Sequence, residues 1–217
     1  MERIIDISLP IYNGMWSYRP AWQNRVQQVE HTNSGGSATV YNLNLFSHSG
    51  TYIETSQHKL NNNILLSDFS ITKFYIEVKV LIINEPSIIT KLAIIKELKE
   101  NNFKINQGDN LIIANGYGVN HKKENYLTNS PSFEPTLTDW LTHYDLSLLG
   151  TDTPIIDNLE LPYAPVVKLF ESNPNMLLLA PLFIDTNIVK TGIYKLFCLP
   201  LKVENTSGML CRPVLIK

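Results

Sequence analysis

Two histidines and a carboxylate fall within eleven residues of this sequence, at His48, Glu54 and His58, with the phenol of Tyr52 between them. The chain has five histidines in all, so this stretch is its densest group of side chains able to bind a metal ion or move protons. Imidazole and carboxylate groups bind divalent ions, and histidine also exchanges protons near neutral pH. The stretch is therefore the first candidate for a catalytic site.

The spacing of these residues has a geometric consequence. All four have even numbers, so an extended chain would direct them to one face. A straight strand would still separate His48 from Tyr52 by roughly 13 Å, whereas ligands lie about 2 Å from a metal ion. A bend is therefore required, and Gly50 lies where it is needed, since glycine adopts positive φ without steric cost. The alternative is a solvated sheet face without a site, and spacing alone leaves both interpretations open.

The stretch resembles the signature of the cyclase family of metal-dependent hydrolases, which includes bacterial kynurenine formamidase and isatin hydrolase. That signature reads His-x-Gly-Thr-His-x-Asp-x-Pro-x-His, and the sequence has the same spacing from His48 to His58. Three positions differ, because Tyr52, Glu54 and Ser56 stand where the family has histidine, aspartate and proline.

The resemblance implies a site that holds one divalent metal ion, either zinc or manganese. In it, His48 and Glu54 are ligands and His58 is the acid and base that transfers protons. Tyr52 occupies a ligand position, but a phenol with a pKa of about 10 binds metal weakly unless the ion lowers that pKa. Tyr52 is therefore interpreted either as a weak third ligand or as a hydrogen-bond donor.

A second metal ion is not expected. Family members with two ions hold the second one with a histidine before a Leu-Leu pair and with a glutamate in an apolar strand. The corresponding residues here are Val166 and Ala180. Neither side chain has an atom that binds a metal ion.

Three aromatic residues, Trp16, Tyr18 and Trp22, lie close together near the N-terminus in an irregular segment. They are candidates for lining a substrate-binding pocket for a planar compound. The alternative is that they cover the core or form a subunit interface.

Two aspartates, Asp152 and Asp157, lie in a segment that resembles the family's Gly-x-Asp-x-x-Ser-x-Asp loop. Aspartate side chains commonly accept hydrogen bonds from nearby backbone N–H groups. A structural role is therefore favoured for both over a catalytic one.

The resemblance extends from Ile5 to Ile216 and implies a mixed α/β fold with a barrel-like central sheet flanked by helices, of the swivelling β/β/α type. The residue patterns agree with this class. Strands are predicted at residues 3–9, 38–46, 74–83, 111–114 and 146–150, and helices at 86–98, 134–144 and 163–171. The strand at 38–46 is expected to be half-buried. In the helix at 86–98, an apolar stripe is expected at Ile88, Ile89, Leu92, Ile95 and Leu98.

The composition indicates one folded domain over residues 1–217, with 44% hydrophobic and 18% charged residues. A net charge of −2 and the lack of a basic cluster argue against a nucleic-acid partner. No apolar run approaches the ~20 residues of a membrane span, and the N-terminus lacks a signal peptide, so a cytoplasmic location is expected. Cys198 and Cys211 lack metal-site spacing and are expected to be reduced and buried. The family resemblance implies a homodimer or homotetramer.

The function that the resemblance favours is metal-dependent hydrolysis of an amide, lactam or lactone in a small aromatic or carbonyl compound. The reference substrate of the family is N-formylkynurenine, an arylformamidase substrate in tryptophan catabolism. One alternative is a protein that binds a small molecule or a partner on the same scaffold after losing its metal. Another is a cyclase or isomerase that works without metal, with Glu54 and His58 as an acid–base pair.

Overall fold

A computed structural model of the chain describes residues 3–157 and 164–217. The strands in these ranges are β1 (Ile4–Asp6), β2 (Arg25–Glu30), β3 (Val40–Asn44), β4 (Tyr52–Glu54), β5 (Tyr75–Ile82), β6 (Ile88–Ile89), β7 (Asn110–Ala114), β8 (Ser132–Phe133), β9 (Leu148–Thr151), β10 (Leu177–Ala180), β11 (Gly192–Phe197), β12 (Gly208–Leu210) and β13 (Val214–Ile216). The α-helices are α1 (Lys91–Glu100), α2 (Pro135–Leu141) and α3 (Pro165–Ser172). Short 3-10 helices occur at Thr32–Ser34, Ser56–His58, Leu66–Asp68, Ile71–Phe74, Tyr117–Asn120 and Thr142–Tyr144.

Nine strands form one mixed sheet in the order β1-β13-β11-β5-β7-β9-β10-β4-β12. Its centre is parallel, from β5 through β7 and β9 to β10. Antiparallel strands complete both ends, including β4 beside β10 and β12 beside β4. The remaining strands pair as two small sheets, β2 with β3 and β6 with β8.

The side chains of the central strands alternate between two buried faces, as the period of a strand requires. On β7, Leu111 and Ile113 pack in the cluster that contains the helix residues, whereas Ile112 lies in the cluster on the other face. That second cluster also contains Met209 of β12 and Leu215 of β13, which lie near opposite ends of the sheet. The sheet therefore curls around one core into a half-barrel and carries its helices outside. This architecture confirms the predicted mixed, barrel-like fold.

The helix predicted at residues 86–98 begins later than expected. Ile88 and Ile89 form β6, which pairs with β8, and the helix α1 starts at Lys91. The Glu85 carboxylate accepts a hydrogen bond from the Thr90 backbone N–H, and the Thr90 hydroxyl caps the helix. The face of α1 that packs on the core also differs from the predicted apolar stripe. Leu92 is 77% exposed, and the buried face is formed by Ile94 and Leu98.

The half-buried strand predicted at residues 38–46 is also different in the structure. The strand that forms there, β3, spans Val40–Asn44, and all five of its residues are exposed. It pairs with β2 in a two-stranded ribbon. The alternating pattern predicted the strand correctly, but no second layer of described residues covers its apolar side chains.

The other predicted elements lie close to their expected positions. The helix predicted at 134–144 is α2 followed by the 3-10 turn that ends at Tyr144. The third helix is α3, and its predicted start at Tyr163 lies outside the described residues. None of the helices in the described ranges has the length and apolar character needed to cross a bilayer.

Candidate functional site

The bend predicted within the histidine-rich stretch is present at Gly50, which has φ of +60°. His48 lies in the turn before this bend, and Glu54 is the last residue of β4. Ile53 points into the core of the half-barrel, so Glu54 points to the opposite face of the sheet. The chain then turns through a short 3-10 helix that ends at His58. This path brings both histidines over the same face of β4.

The three side chains converge on one point. Nε2 of His48 lies 2.9 Å from Oε2 of Glu54, and Nε2 of His58 lies 3.8 Å from the same oxygen. Each residue offers one possible ligand atom, and these atoms all lie within 4.8 Å of one another. Tetrahedral ligands at about 2.0–2.1 Å from one ion are separated by about 3.3 Å. The cluster therefore has nearly the spacing that a single divalent ion requires.

The imidazole of His48 has one nitrogen with a hydrogen-bond partner and one without. Its Nδ1 is 2.8 Å from the hydroxyl oxygen of Ser47, which fixes the ring. Its Nε2 is buried and has no hydrogen-bond partner, although Glu54 is close, because the contact lacks the angles of a hydrogen bond. A buried nitrogen without a partner is costly. The pair consequently fits two ligands of a shared cation better than a donor and its acceptor.

Gly208 on β12 provides the space in which these two side chains meet. A Cβ atom on Gly208 would lie 2.9 Å from Nε2 of His48 and 3.2 Å from Cβ of Glu54. Such contacts are closer than packed atoms tolerate. The site therefore depends on the absence of a side chain at this position.

Tyr52 takes part in a chain of hydrogen bonds instead of pointing a free hydroxyl at the cluster. Its hydroxyl is 3.0 Å from that of Tyr18, and the Tyr18 hydroxyl donates to the carbonyl oxygen of Pro154 at 2.8 Å. Since a carbonyl only accepts, Tyr18 uses its proton there and Tyr52 donates to Tyr18. Burial raises the pKa of both phenols, that of Tyr52 far above its ordinary value. This arrangement supports the hydrogen-bond donor interpretation of Tyr52.

His58 is the more accessible of the two histidines, with 28% of its side chain exposed. Its ring lies 4.0 Å from that of His48, measured between centroids. Burial lowers the pKa of His58 to about 4, against a smaller opposing effect of the Glu54 carboxylate. The imidazole is therefore neutral at neutral pH and has a lone pair available to accept a proton.

A cavity of about 500 Å³ opens above the cluster. This volume lies within the usual range for small-molecule sites. Its walls combine the three cluster residues with aromatic, aliphatic and charged side chains from separate segments. The residues around it are Tyr18, Arg19, Trp22, His48, Tyr52, Glu54, His58, Lys59, Thr151, Thr153, Pro154, Ile155, Ile156, Asp157, Val166, Leu178 and Ala180.

The three aromatic residues of the N-terminal segment have different positions. Tyr18 and Trp22 line the cavity, as a substrate-binding role requires. Trp16 lies behind the wall, where its ring packs edge-on against Tyr18 at 5.2 Å and at a tilt against Tyr126 at 5.4 Å. Trp16 therefore supports Tyr18 from the core side, in line with the alternative of covering the core.

Val166 and Ala180 both line the cavity. Their positions in the wall agree with the sequence analysis, which placed them where two-ion family members have the histidine and glutamate that bind the second ion. Because their side chains are hydrocarbon, this part of the wall is apolar. The cavity therefore combines ligand atoms for one ion with apolar side chains from β10 and α3.

Asp152 and Asp157 bind backbone N–H groups, as expected for structural residues. Asp152 is fully buried and accepts hydrogen bonds from Asn115 at 3.1 Å and from Gly116 at 2.7 Å. Asp157 accepts from the backbone N–H of Val166 at 3.1 Å, in the first turn of α3. Asp152 thus holds the loop at Asn115 and Gly116, and Asp157 holds the start of α3.

Several residues of the site were not anticipated from the sequence. Ser47 orients His48, and Arg19 and Lys59 place cations in the cavity wall. Ser47 and Lys59 directly adjoin the two histidines, which is a signal that the sequence contains. Arg19 is distant in sequence and is brought to the site only by the fold.

Comparison with known proteins identifies the family. The Cyclase family model matches residues 5–158 of this chain. The chain belongs to the cyclase family. The matched range contains His48, Glu54 and His58, so the resemblance seen in their spacing is confirmed.

Two curated cyclase-family relatives are similar over nearly the whole chain. The kynurenine formamidase of Geobacillus thermodenitrificans strain NG80-2 is 26% identical over 215 residues, covering 98% of this chain and 94% of that protein. The kynurenine formamidase of Bacillus thuringiensis subsp. konkukian strain 97-27 is 25% identical over 221 residues, covering 97% and 96%.

Solved structures show the same cyclase-family fold. Isatin hydrolase A from Ralstonia solanacearum superposes with a TM-score of 0.82 and 15% identity, covering 99% of this chain and 92% of that one. At such low identity the likeness establishes the fold and leaves the chemistry to be argued from the site.

Proposed function

We propose that this protein is a metal-dependent hydrolase of the arylformamidase type, which cleaves an amide, lactam or lactone bond in a small aromatic or carbonyl compound. The observation that carries the proposal is the convergence of His48, Glu54 and His58 beside a cavity of about 500 Å³. The names of the two curated relatives support the arylformamidase type. N-formylkynurenine is the first substrate to test.

The ligands we propose for the ion are Nε2 of His48 and the carboxylate of Glu54. Nε2 lacks a hydrogen-bond partner, and the two atoms are 2.9 Å apart. A nitrogen and oxygen donor set suits zinc or manganese. When bound, such an ion would polarise a carbonyl oxygen and lower the pKa of bound water from its bulk value toward about 7. The apolar side chains of Val166 and Ala180 favour a single ion.

His58 is the residue that we propose to move protons. Its imidazole is neutral at neutral pH, so Nε2 can accept the proton of the attacking water and return it to the leaving group. In the overall step a C–O bond forms, the C–N or C–O bond to the leaving group breaks, and the leaving atom receives the proton. An amide gives a carboxylic acid and an amine.

Tyr52 and Tyr18 contribute to the shape of the pocket. Their hydrogen bonds run from the Tyr52 hydroxyl through Tyr18 to the carbonyl of Pro154. These hydrogen bonds fix both rings, and the ring of Tyr52 lies 4.6 Å from that of His48. Rigid aromatic walls hold a planar substrate with its carbonyl near the cluster.

Metal analysis combined with an activity assay tests this function. Protein purified without chelators is analysed for zinc and manganese and assayed with N-formylkynurenine, formanilide and isatin. We expect close to one ion per chain and hydrolysis of at least one of these compounds. The variant E54Q should lose the ion and the activity together, because the neutral amide removes the charge that attracts the cation.

The two rival functions give different results in the same experiment. Protein that takes up no zinc or manganese, even on addition, and hydrolyses nothing would support a binding protein on the cyclase scaffold. Conversion of a substrate at full rate by metal-free protein to a ring-closed or isomeric product would support a cyclase or isomerase that uses Glu54 and His58 as its acid–base pair. Either result would overturn the hydrolase proposal.

A further inference from the structure

The cavity wall contains two cations, Arg19 and Lys59, in addition to the carboxylates of Glu54 and Asp157. Both carboxylates already contact other groups. Glu54 is buried between the two histidines, and Asp157 accepts the hydrogen bond from Val166. Within residues 3–157 and 164–217, neither cation forms an ion pair with a carboxylate.

Arg19 is held in place by an aromatic stack. Its guanidinium carbon lies 5.0 Å from the centre of the Trp22 ring, a cation–π distance. Trp22 in turn stacks on Phe46 at 5.8 Å with an angle of 19° between the rings. The backbone N–H of Trp22 also donates to the Arg19 carbonyl. The guanidinium is thereby fixed beside an aromatic face that itself lines the cavity.

Lys59 comes from a different segment and is tied to the cluster. It directly follows His58, and its backbone N–H donates to the carbonyl of Ser56 at 3.0 Å. The 3-10 turn that positions His58 therefore also positions the backbone of Lys59. The two cations thus reach the same cavity from separate segments of the chain.

Both cations are exposed and line the concave site. There they attract anions more strongly than cations on a flat surface do, because the cavity walls concentrate the field. A guanidinium presents two parallel donors that match the two oxygens of a carboxylate, and an ammonium adds a mobile point charge.

We propose that Arg19 and Lys59 bind a carboxylate of the substrate, so that the enzyme prefers aryl amides that carry an anionic group over neutral ones. This inference rests on the proposed hydrolase function. It adds to that function a class of substrate and two residues that select it.

Paired substrates test the selection. Formanilide and N-formylanthranilate have the same scissile bond and differ by one carboxylate on the ring. We expect kcat/KM to be higher for N-formylanthranilate, and R19Q or K59Q to lower the ratio of the two values about three- to tenfold. Most of the change should lie in KM. R19K should retain part of the preference, since lysine keeps the charge but lacks the two parallel donors of the guanidinium.

A matched control is K96Q, which removes an exposed lysine of α1 that pairs with Glu100 and does not line the cavity. It should leave the ratio unchanged. Equal kcat/KM values for the two amides, with no effect of R19Q or K59Q, would overturn the inference while leaving the hydrolase function intact.

A binding measurement separates the two proposals. Anthranilate is fluorescent and contains no scissile bond, so its affinity is measured by titration with metal-loaded and with chelated protein. R19Q and K59Q should weaken binding about three- to tenfold in both forms. If neither amide is hydrolysed but these losses appear, the hydrolase function fails and the anion site stands. If binding of anthranilate disappears on chelation and its affinity is unchanged in R19Q and K59Q, the carboxylate binds elsewhere and the inference is wrong.

Discussion

Nε2 of His48 and Oε2 of Glu54 lie 2.9 Å apart, yet no hydrogen bond joins them. Both atoms are buried, and Gly208 leaves the space around them open. Without a cation, this arrangement combines a buried nitrogen that lacks a partner with a buried carboxylate. A divalent ion would satisfy both groups at once. The pair is therefore the feature of the chain that most directly indicates metal binding.

Replacement of His58 distinguishes a proton-transferring residue from a ligand. The variant H58A should lower turnover by roughly 100-fold or more, which is the usual contribution of a general base. Its metal content should stay near that of the unmodified protein, because His48 and Glu54 remain. Metal analysis and steady-state kinetics on the same preparation check both points.

An exposed histidine on a different segment serves as the control for that experiment. H143A removes a side chain whose Nδ1 contacts the carbonyl of Asp139 outside the cavity, and it should leave turnover unchanged. An unchanged rate in H58A would remove His58 from the mechanism. Loss of the ion in H58A would make it a ligand.

The space at Gly208 predicts the effect of a single methyl group. In G208A the new Cβ would lie 2.9 Å from Nε2 of His48 and 3.2 Å from Cβ of Glu54, so the two ligands must shift from their present positions. We expect the affinity for zinc to fall about 10- to 100-fold, as for other changes that misplace metal ligands. Isothermal titration with zinc measures this loss.

The matched control for this change is G192A. Gly192 has an aromatic carbon of Tyr194 at 3.4 Å as the nearest atom to an added Cβ, which is an ordinary contact. Its zinc affinity should equal that of the unmodified protein, and circular dichroism should show folded protein for both variants. Equal affinity in G208A would mean that the distance between His48 and Glu54 does not control binding.

The histidine cluster could be predicted from the sequence because its residues are close in the chain. His48, Glu54 and His58 are separated by one short strand, and the bend at Gly50 together with the 3-10 turn that ends at His58 brings them together. The family resemblance added the topology of the half-barrel. Local spacing and a shared signature therefore gave both the fold and the centre of the site.

The rest of the site depends on contacts between distant segments. Arg19 and Gly208 reach the cluster through the order of strands in the sheet, which no local pattern contains. The start of α1 was placed wrongly for a similar reason. Ile88 and Ile89 fit a helical stripe, but pairing with β8 and the hydrogen bonds of Glu85 keep them extended.

Asp152 predicts how the stability of the fold varies with pH. Its carboxyl is fully buried, and burial raises its pKa to about 7 although backbone N–H groups of Asn115 and Gly116 lower it. The folded state therefore holds a proton between pH 4 and 7 that the unfolded state has released. Linkage makes this contribution to stability complete below about pH 4 and lost as the pH rises through 7.

Urea unfolding from pH 4 to 8 measures the effect by comparison with D152N. The free energy of unfolding of the unmodified protein should decline relative to that of D152N by at most about 4 kcal/mol over this range. The asparagine NH₂ faces a backbone donor, so D152N should also be less stable by about 1–3 kcal/mol at low pH. D145N, at an exposed aspartate, should keep the slope of the unmodified protein. Parallel curves for D152N and the unmodified protein would show that Asp152 stays ionised in the fold, with its charge held by the loop N–H groups.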